Sequence, residues 1–354
     1  MARPFPIPAF RASGAGTRRS PVHFGLPVLF LTTLLTTGCE LPRAHGDPTA
    51  VIVAAETELW YSIEDEFRTQ MEPPIQTVRQ ERPFRITPVD PDVESGWGQL
   101  RRFRQAVLVG SADTPWMEEA LAKVSGPIPE APALLEVENV WARGQRIWIL
   151  LVPEDDPGQA VTDLAGSVLE TMDTQFREFV RTRQYVSGRD TLLADSLAAN
   201  VGFSMMFPNV YRYTVEDSVF RFRNDNPSPR ELIREIAVTW LEPAPDEDPT
   251  QEELQEWRTQ LAANYYVDPQ ELDLTVVTFE PIEINGIRGV EFQSAWRSLP
   301  DAWPAGGPFV VRALRCPEQD RMYLMDGWVY APEREKYEFV LQLQNILNTF
   351  RCHP

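Results

Sequence analysis

The chain has 354 residues, 33 of them basic and 52 acidic, for a net charge of −19 at pH 7. A surface this acidic repels nucleic-acid phosphates and anionic lipid headgroups, so neither is expected as a partner. The only lysines are Lys123 and Lys336 and the acid is dispersed, a composition that suits solubility at high salt.

Residues 1–38 read as a lipoprotein signal peptide. Arg3, Arg11, Arg18 and Arg19 precede an apolar run, Leu26 to Leu35, that is too short to span a bilayer. Thr36, Thr37 and Gly38 then lead into Cys39, the order that suits cleavage between Gly38 and Cys39 and acylation of the cysteine. Acyl chains on Cys39 would hold the chain on a membrane without a transmembrane helix. Glu40 rather than Asp after the cysteine favours the outer membrane, facing the periplasm. From Cys39 onward 29 basic residues face 52 acidic ones, a net of −23, and residues 39–48 are expected to form a polar tether.

Residues 49–188 alternate strand and helix patterns. "TAVIVAA" reads as a buried strand, followed by a helix with Leu59, Trp60, Ile63 and Phe67 on one face. "RPFRITPV" and "RQAVLVG" read as strands, and "TPWMEEALAKV" as a helix with Thr114 as N-cap and Pro115 at its first position. "RIWILLVP" is a third apolar strand, leading into a long helix with Val161, Ala165, Val168, Met172, Phe176 and Val180 aligned. Repeated strand-then-helix order implies an α/β layer domain with a parallel or mixed sheet.

Strands dominate residues 198–354. "GFSMMFP", "YRYTVE", "VFRFR" and "REIAVTWLEP" come first; in "VFRFR", Phe220 and Phe222 are expected to face a core and Arg221 and Arg223 water. "PAPDEDPTQEELQEW" reads as an acidic insertion, loop then helix, on the solvated surface. Four more strand patterns follow, and Val340, Leu343, Leu347 and Phe350 give the closing helix an apolar face. The expected fold is therefore two α-β layer domains, α/β then α+β, the second an antiparallel sheet covered by its C-terminal helix.

Five stretches carry a resemblance, in order: "NVWARGQRI" (139–147), "MMFPNVYRY" (205–213), "IRGVEF" (287–292), "GGPFV" (306–310) and "DGWVYAPEREKY" (326–337). With the lipoprotein leader they resemble the bacterial lipoprotein family of domain of unknown function 4837, from about residue 50 to the end. That resemblance implies an envelope address and a coherent fold but no activity. The strand ending "YAP" and the helix ending "ILNTF" resemble the PsbP-like α/β/α sandwich, an architecture that implies a binding or assembly module.

Catalytic signatures are absent. Histidines stand only at 23, 45 and 353, so no interior imidazole is expected for a Ser-His-Asp, Cys-His or zinc site. "DPDVESGWG" fails as a calcium loop because Arg101 stands where a bidentate Glu is needed. No cofactor or metal is expected. With Cys39 assigned, Cys316 and Cys352 form an even pair in an oxidising compartment, read as a disulfide. Arg288 is read as pairing with Glu291 or Asp326, or as holding an anionic ligand. Gly306 and Gly307 are read as a tight turn or a glycine-lined ligand contact. Trp141, Trp148, Trp296 and Trp328 are expected in the core, with a groove for glycan or peptide as the alternative. The functional expectation is a lipid-anchored, non-catalytic binding or assembly factor with an envelope protein partner. The alternatives are a carboxylate-based hydrolase of cell-wall glycan or peptide and a solute-binding lipoprotein with an interdomain cleft.

Overall fold

The structure is a computed structural model that describes residues 40–75, 77–78, 80–226 and 232–353. The signal-peptide reading, with Gly38 and Cys39, lies outside the described residues.

Leu41–Pro354 form one compact unit built on two sheets. The first contains β1 (Ala50–Ala54), β2 (Arg85–Val89), β3 (Gln105–Gly110), β4 (Ala133–Glu138) and β5 (Arg146–Leu151) in the order β2-β1-β3-β5-β4. All neighbours are parallel except the edge strand β4, so the sheet is mixed. β3 is buried along its whole length and β5 almost so, as strands covered on both faces must be. One cover is α1 (Thr57–Met71) with α4 (Pro157–Arg183), whose Ile63, Phe67, Val168 and Met172 meet Val107 and Leu150. The short α2 (Trp97–Leu100) and α3 (Pro115–Leu121) lie on the other side, where Trp116 and Met117 pack on Ala106 and Ile149.

After α5 (Thr191–Asn200) comes a sandwich. A two-residue strand, β6 (Phe203–Ser204), precedes β7 (Arg212–Glu216), β8 (Val219–Asn224) and β9 (Ile233–Leu241). Then follow α6 (Gln251–Tyr265), β10 (Gln270–Ile284), β11 (Ile287–Ser298), β12 (Gly306–Cys316), β13 (Arg321–Tyr330), α7 (Tyr337–Leu347) and β14 (Arg351–Cys352), which pairs with β6. The seven-stranded sheet runs β10-β11-β12-β13-β9-β8-β7, antiparallel throughout. Alternation along β13 sends Tyr323, Met325 and Val329 to one cluster with Leu343 and Leu347 of α7. Met322, Leu324 and Trp328 go to the other, with Leu254 and Leu261 of α6. The fold is thus α/β followed by an α/β/α sandwich, and α7 also reaches the first region through Leu341.

Four local readings change. The expected tether is docked from Pro42 on: Ala44 N donates to the Arg143 carbonyl, His45 N to Arg102, and Arg104 N to His45. Ala44 is buried there because its backbone extends the edge of the first region. "GFSMMFP" keeps only Phe203–Ser204 as strand, since its remaining pairing partner is the two-residue β14. Thr114 stands at the N-cap of α3 with Pro115 following it, but its side chain makes no cap hydrogen bond. The acidic insertion is no bare surface: Thr250 and Glu253 form a capping box that starts α6, and α6 packs on one face of the sheet through Leu254, Leu261 and Ala262.

Candidate functional site

α6 is shorter than the face it covers. Its inward residues Leu254, Arg258, Leu261 and Ala262 roof the sheet as far as Asp326, and the chain leaves at Tyr266. Beyond that point the face is paved by aromatic rings instead of being roofed. Trp296 of β11, Trp328 and Tyr330 of β13, and Trp303 of the β11–β12 loop line a cavity of about 630 Å³, with Asp268 and Ser298 at its polar edge.

Each ring is held for a visible reason. Trp296 and Trp328 meet edge to face at 5.4 Å, Trp296 and Tyr330 at 6.4 Å, and Tyr266 braces Trp328 at 5.6 Å. Trp296 Nε1 donates to the Val329 carbonyl at 3.1 Å, crossing β12 above Gly307. A Cβ on Gly307 would stand 1.7 Å from that carbonyl oxygen and 3.0 Å from the indole nitrogen, so only glycine leaves the tryptophan its path. The loop bearing Trp303 is closed by Ser298 N to the Ala305 carbonyl at 2.9 Å and Ala305 N to Ser298 Oγ at 3.0 Å. Trp303 itself is 83% exposed, whereas Trp328 is 2% exposed and its indole N–H has no acceptor.

Beneath the aromatic end lies a buried charge layer. Asp326, wholly inaccessible, accepts Arg258 Nε at 3.1 Å and the Tyr266 hydroxyl at 2.5 Å. Arg258 also donates to Gln270 Oε1 at 2.7 Å, and its guanidinium lies 3.9 Å above the Phe309 ring. Glu235, opposite Trp328 across the β9–β13 ladder, accepts Arg223 at 3.0 Å with Arg221 at 4.0 Å. Burial pushes the carboxyls of Glu235 and Asp326 above the usual range, against the pull of their arginines. Both acids are enclosed and occupied, so neither is offered to a substrate.

The residues singled out in the sequence separate here. Gly306, Gly307 and Trp328 meet at the aromatic end, Gly306 pairing with Arg297 and Gly307 with Trp296 as members of β12. They form strand, not a turn. Arg288 is exposed at the opposite end of β11, where it faces Glu283 across the ladder. Neither proposed partner reaches it, because Glu291 is taken by Arg312 at 2.5 Å and Asp326 by Arg258. Arg221 and Arg223 turn toward Glu235 and α6, the Arg221 guanidinium reaching the Tyr265 carbonyl, because their face is the one α6 covers. Cys316 and Cys352 are joined by a disulfide with Cα atoms 6.0 Å apart. Trp141 and Trp148 are buried in the first region.

Sequence reasoning passed over Trp303, Asp268 and Arg258. "PDAWPAGG" held the one usable signal: a tryptophan between prolines has no helix or strand to bury it. His353 also departs from expectation, its Nε2 lying 2.7 Å from Ser204 Oγ where β14 folds onto β6. That Ser-His contact lines none of the cavities described here. Among the described residues there is no group of three His, Cys, Asp or Glu side chains placed to hold a metal ion, and no helix is long and apolar enough to cross a membrane.

No curated protein matches the chain. Solved structures to which part of the chain is similar include the Ran-binding protein Mog1p of Saccharomyces cerevisiae, at 15% identity and a TM-score of 0.29, over 43% of this chain and 90% of that one. LpqN, involved in cell envelope biogenesis of Mycobacterium tuberculosis, is similar at 12% identity and a TM-score of 0.27, over 44% of this chain and 87% of that one. Human STARD10 follows at 8% identity and a TM-score of 0.19, over 45% and 74%. No activity is carried over from them. Residues 190–349 match the family described as Domain of unknown function (DUF4837), so the family likeness rests on the sandwich from α5 to α7, including its aromatic pocket.

Proposed function

We propose that this is an exported protein, acylated at Cys39 and held at the cell envelope, on the periplasmic side of the outer membrane, that works by binding and not by catalysis. The carrying observation is the aromatic pocket: an open, ring-lined cavity of about 630 Å³ beside Glu235 and Asp326, both of them sealed in ion pairs. A hydrolase of glycan needs two accessible carboxylates across a cleft. Here the two carboxyls raised by burial lie inside the sheet–helix layer. The leader and Cys39 support the anchor, and a partner on the same envelope surface would be met by the sandwich.

Two measurements test the reading. Metabolic labelling with an alkyne fatty acid should tag the wild-type chain in the envelope fraction and leave Cys39→Ala untagged. A pull-down of the full-length chain from detergent-solubilised envelopes should then recover a stoichiometric partner. An untagged wild-type protein contradicts the anchor; an anchored protein that recovers nothing contradicts the assembly role.

A further inference from the structure

The chemistry of the pocket wall is one-sided. Four aromatic side chains, Trp296, Trp303, Trp328 and Tyr330, line the cavity, Trp303 the most exposed of them, and among the described residues its one ionisable neighbour apart from the tyrosine is a carboxylate, Asp268. Among the described residues no arginine, lysine or histidine lines it, in a chain that carries 33 arginines and lysines. An anionic head would therefore meet ring quadrupoles of the wrong sign, a carboxylate, and a net charge of −19. A sugar needs several polar side chains for its hydroxyls, and the cavity offers Asp268 and Ser298. A cation with an apolar skin suits the open rings, Trp303 and Tyr330, which attract it, and it is weakly hydrated enough to leave water; Trp328 already has the Arg223 guanidinium 6.0 Å from its ring centre.

A second feature concerns the other end of the ligand. Trp328 lines the cavity, is 2% exposed, and keeps a buried indole N–H with no acceptor. That N–H is enclosed and out of a ligand's reach, so an acceptor at the other end must be met elsewhere on the wall. Ser298 adds a hydroxyl whose oxygen is already engaged by Ala305 N, leaving its proton to donate.

We propose that the pocket binds a small zwitterion whose alkylated ammonium head sits among Trp296, Trp303, Trp328 and Tyr330, with Asp268 as counter-charge. This rests on the binding reading above and names the ligand class of the same site.

The test is calorimetric titration of the full chain, in a non-ionic detergent, with glycine betaine and with 3,3-dimethylbutanoate, which has the same shape and carboxylate but no positive charge. Betaine should bind at least about tenfold more tightly than its uncharged-head isostere. Trp303→Ala and Asp268→Asn should each weaken betaine about tenfold while leaving the unfolding midpoint unchanged, because both side chains are exposed. Equal binding of the two probes overturns the ammonium assignment in favour of an apolar slot. Failure of both probes to bind overturns the assignment as well. The envelope pull-down separates this from the parent reading: a partner still captured by a chain indifferent to betaine removes only the ligand class.

Discussion

The two faces of the seven-stranded sheet are built to opposite rules. Under α7, Phe207, Phe222, Phe203, Tyr323 and Phe350 stack in a closed apolar cluster, stapled at its edge by Cys316–Cys352. Under α6 the same strands present Glu235, Asp326 and Arg258 to one another and then run out into an open aromatic pocket. The first face buries one ion pair of its own, Arg312 with Glu291, tied to Asn348 at the end of α7. The second buries two, Arg258 with Asp326 and Arg223 with Glu235, and leaves its end uncovered. On the binding reading proposed above, stability and function are divided between the two sides of one sheet and linked through the strands they share.

That division can be broken from either side. The largest effect is expected from Arg258→Met, which leaves Asp326 inaccessible and without its cation: urea unfolding should show a loss of about 3–5 kcal/mol. Combining it with Asp326→Leu should restore most of the loss, which a purely packing role for Arg258 would not allow. On the first face, Cys316→Ser with Cys352→Ser opens a loop of 36 residues and should cost about 4 kcal/mol by loop entropy, with betaine affinity unaltered. Gly307→Ala links the two faces, because its Cβ must displace the Val329 carbonyl and the Trp296 indole. It should cost about 1–3 kcal/mol and also weaken ligand binding. A stable Gly307→Ala chain with an intact pocket would mean that the glycine is dispensable.

The smallest effect concerns pH. Burial raises the Glu235 carboxyl above its unfolded value of about 4. The folded state therefore holds this proton more tightly than the unfolded state, and stability contributed by Glu235 is greatest below the unfolded value and lost as pH rises through the folded one. Glu235→Gln should flatten that fall in a pH series of unfolding curves. An unchanged slope would show that Arg223 and Arg221 outweigh burial.

The outline of these faces was legible in the sequence, and the site was not. "RMYLMDGWVY" is apolar enough to read as a strand of the sheet, and α4 and α7 announce themselves by their apolar spacing. α6 hid because Arg258 occupies a core position between Leu254 and Leu261, which breaks the apolar stripe and makes an acidic helix look solvated. Arg288 drew attention by its local neighbours, but in a sheet the partner is set by register, and register placed it opposite Glu283. Trp303 and Asp268 come from separate loops with 34 residues of chain on one side and the sheet on the other; only the sandwich brings them to one cavity. The docked segment Pro42–His45 was unreadable for a related reason, since its partners Arg102 and Arg143 are distant in sequence.

The most direct test is a map of the ten tryptophan indole resonances in ¹⁵N-labelled protein as glycine betaine is added. The account predicts shifts at Trp296, Trp303 and Trp328, with Trp148 in the first core and Trp240 under the α7 face unmoved. Shifts at Trp148 or Trp240 without movement at the pocket, or no shift at any tryptophan, would contradict it.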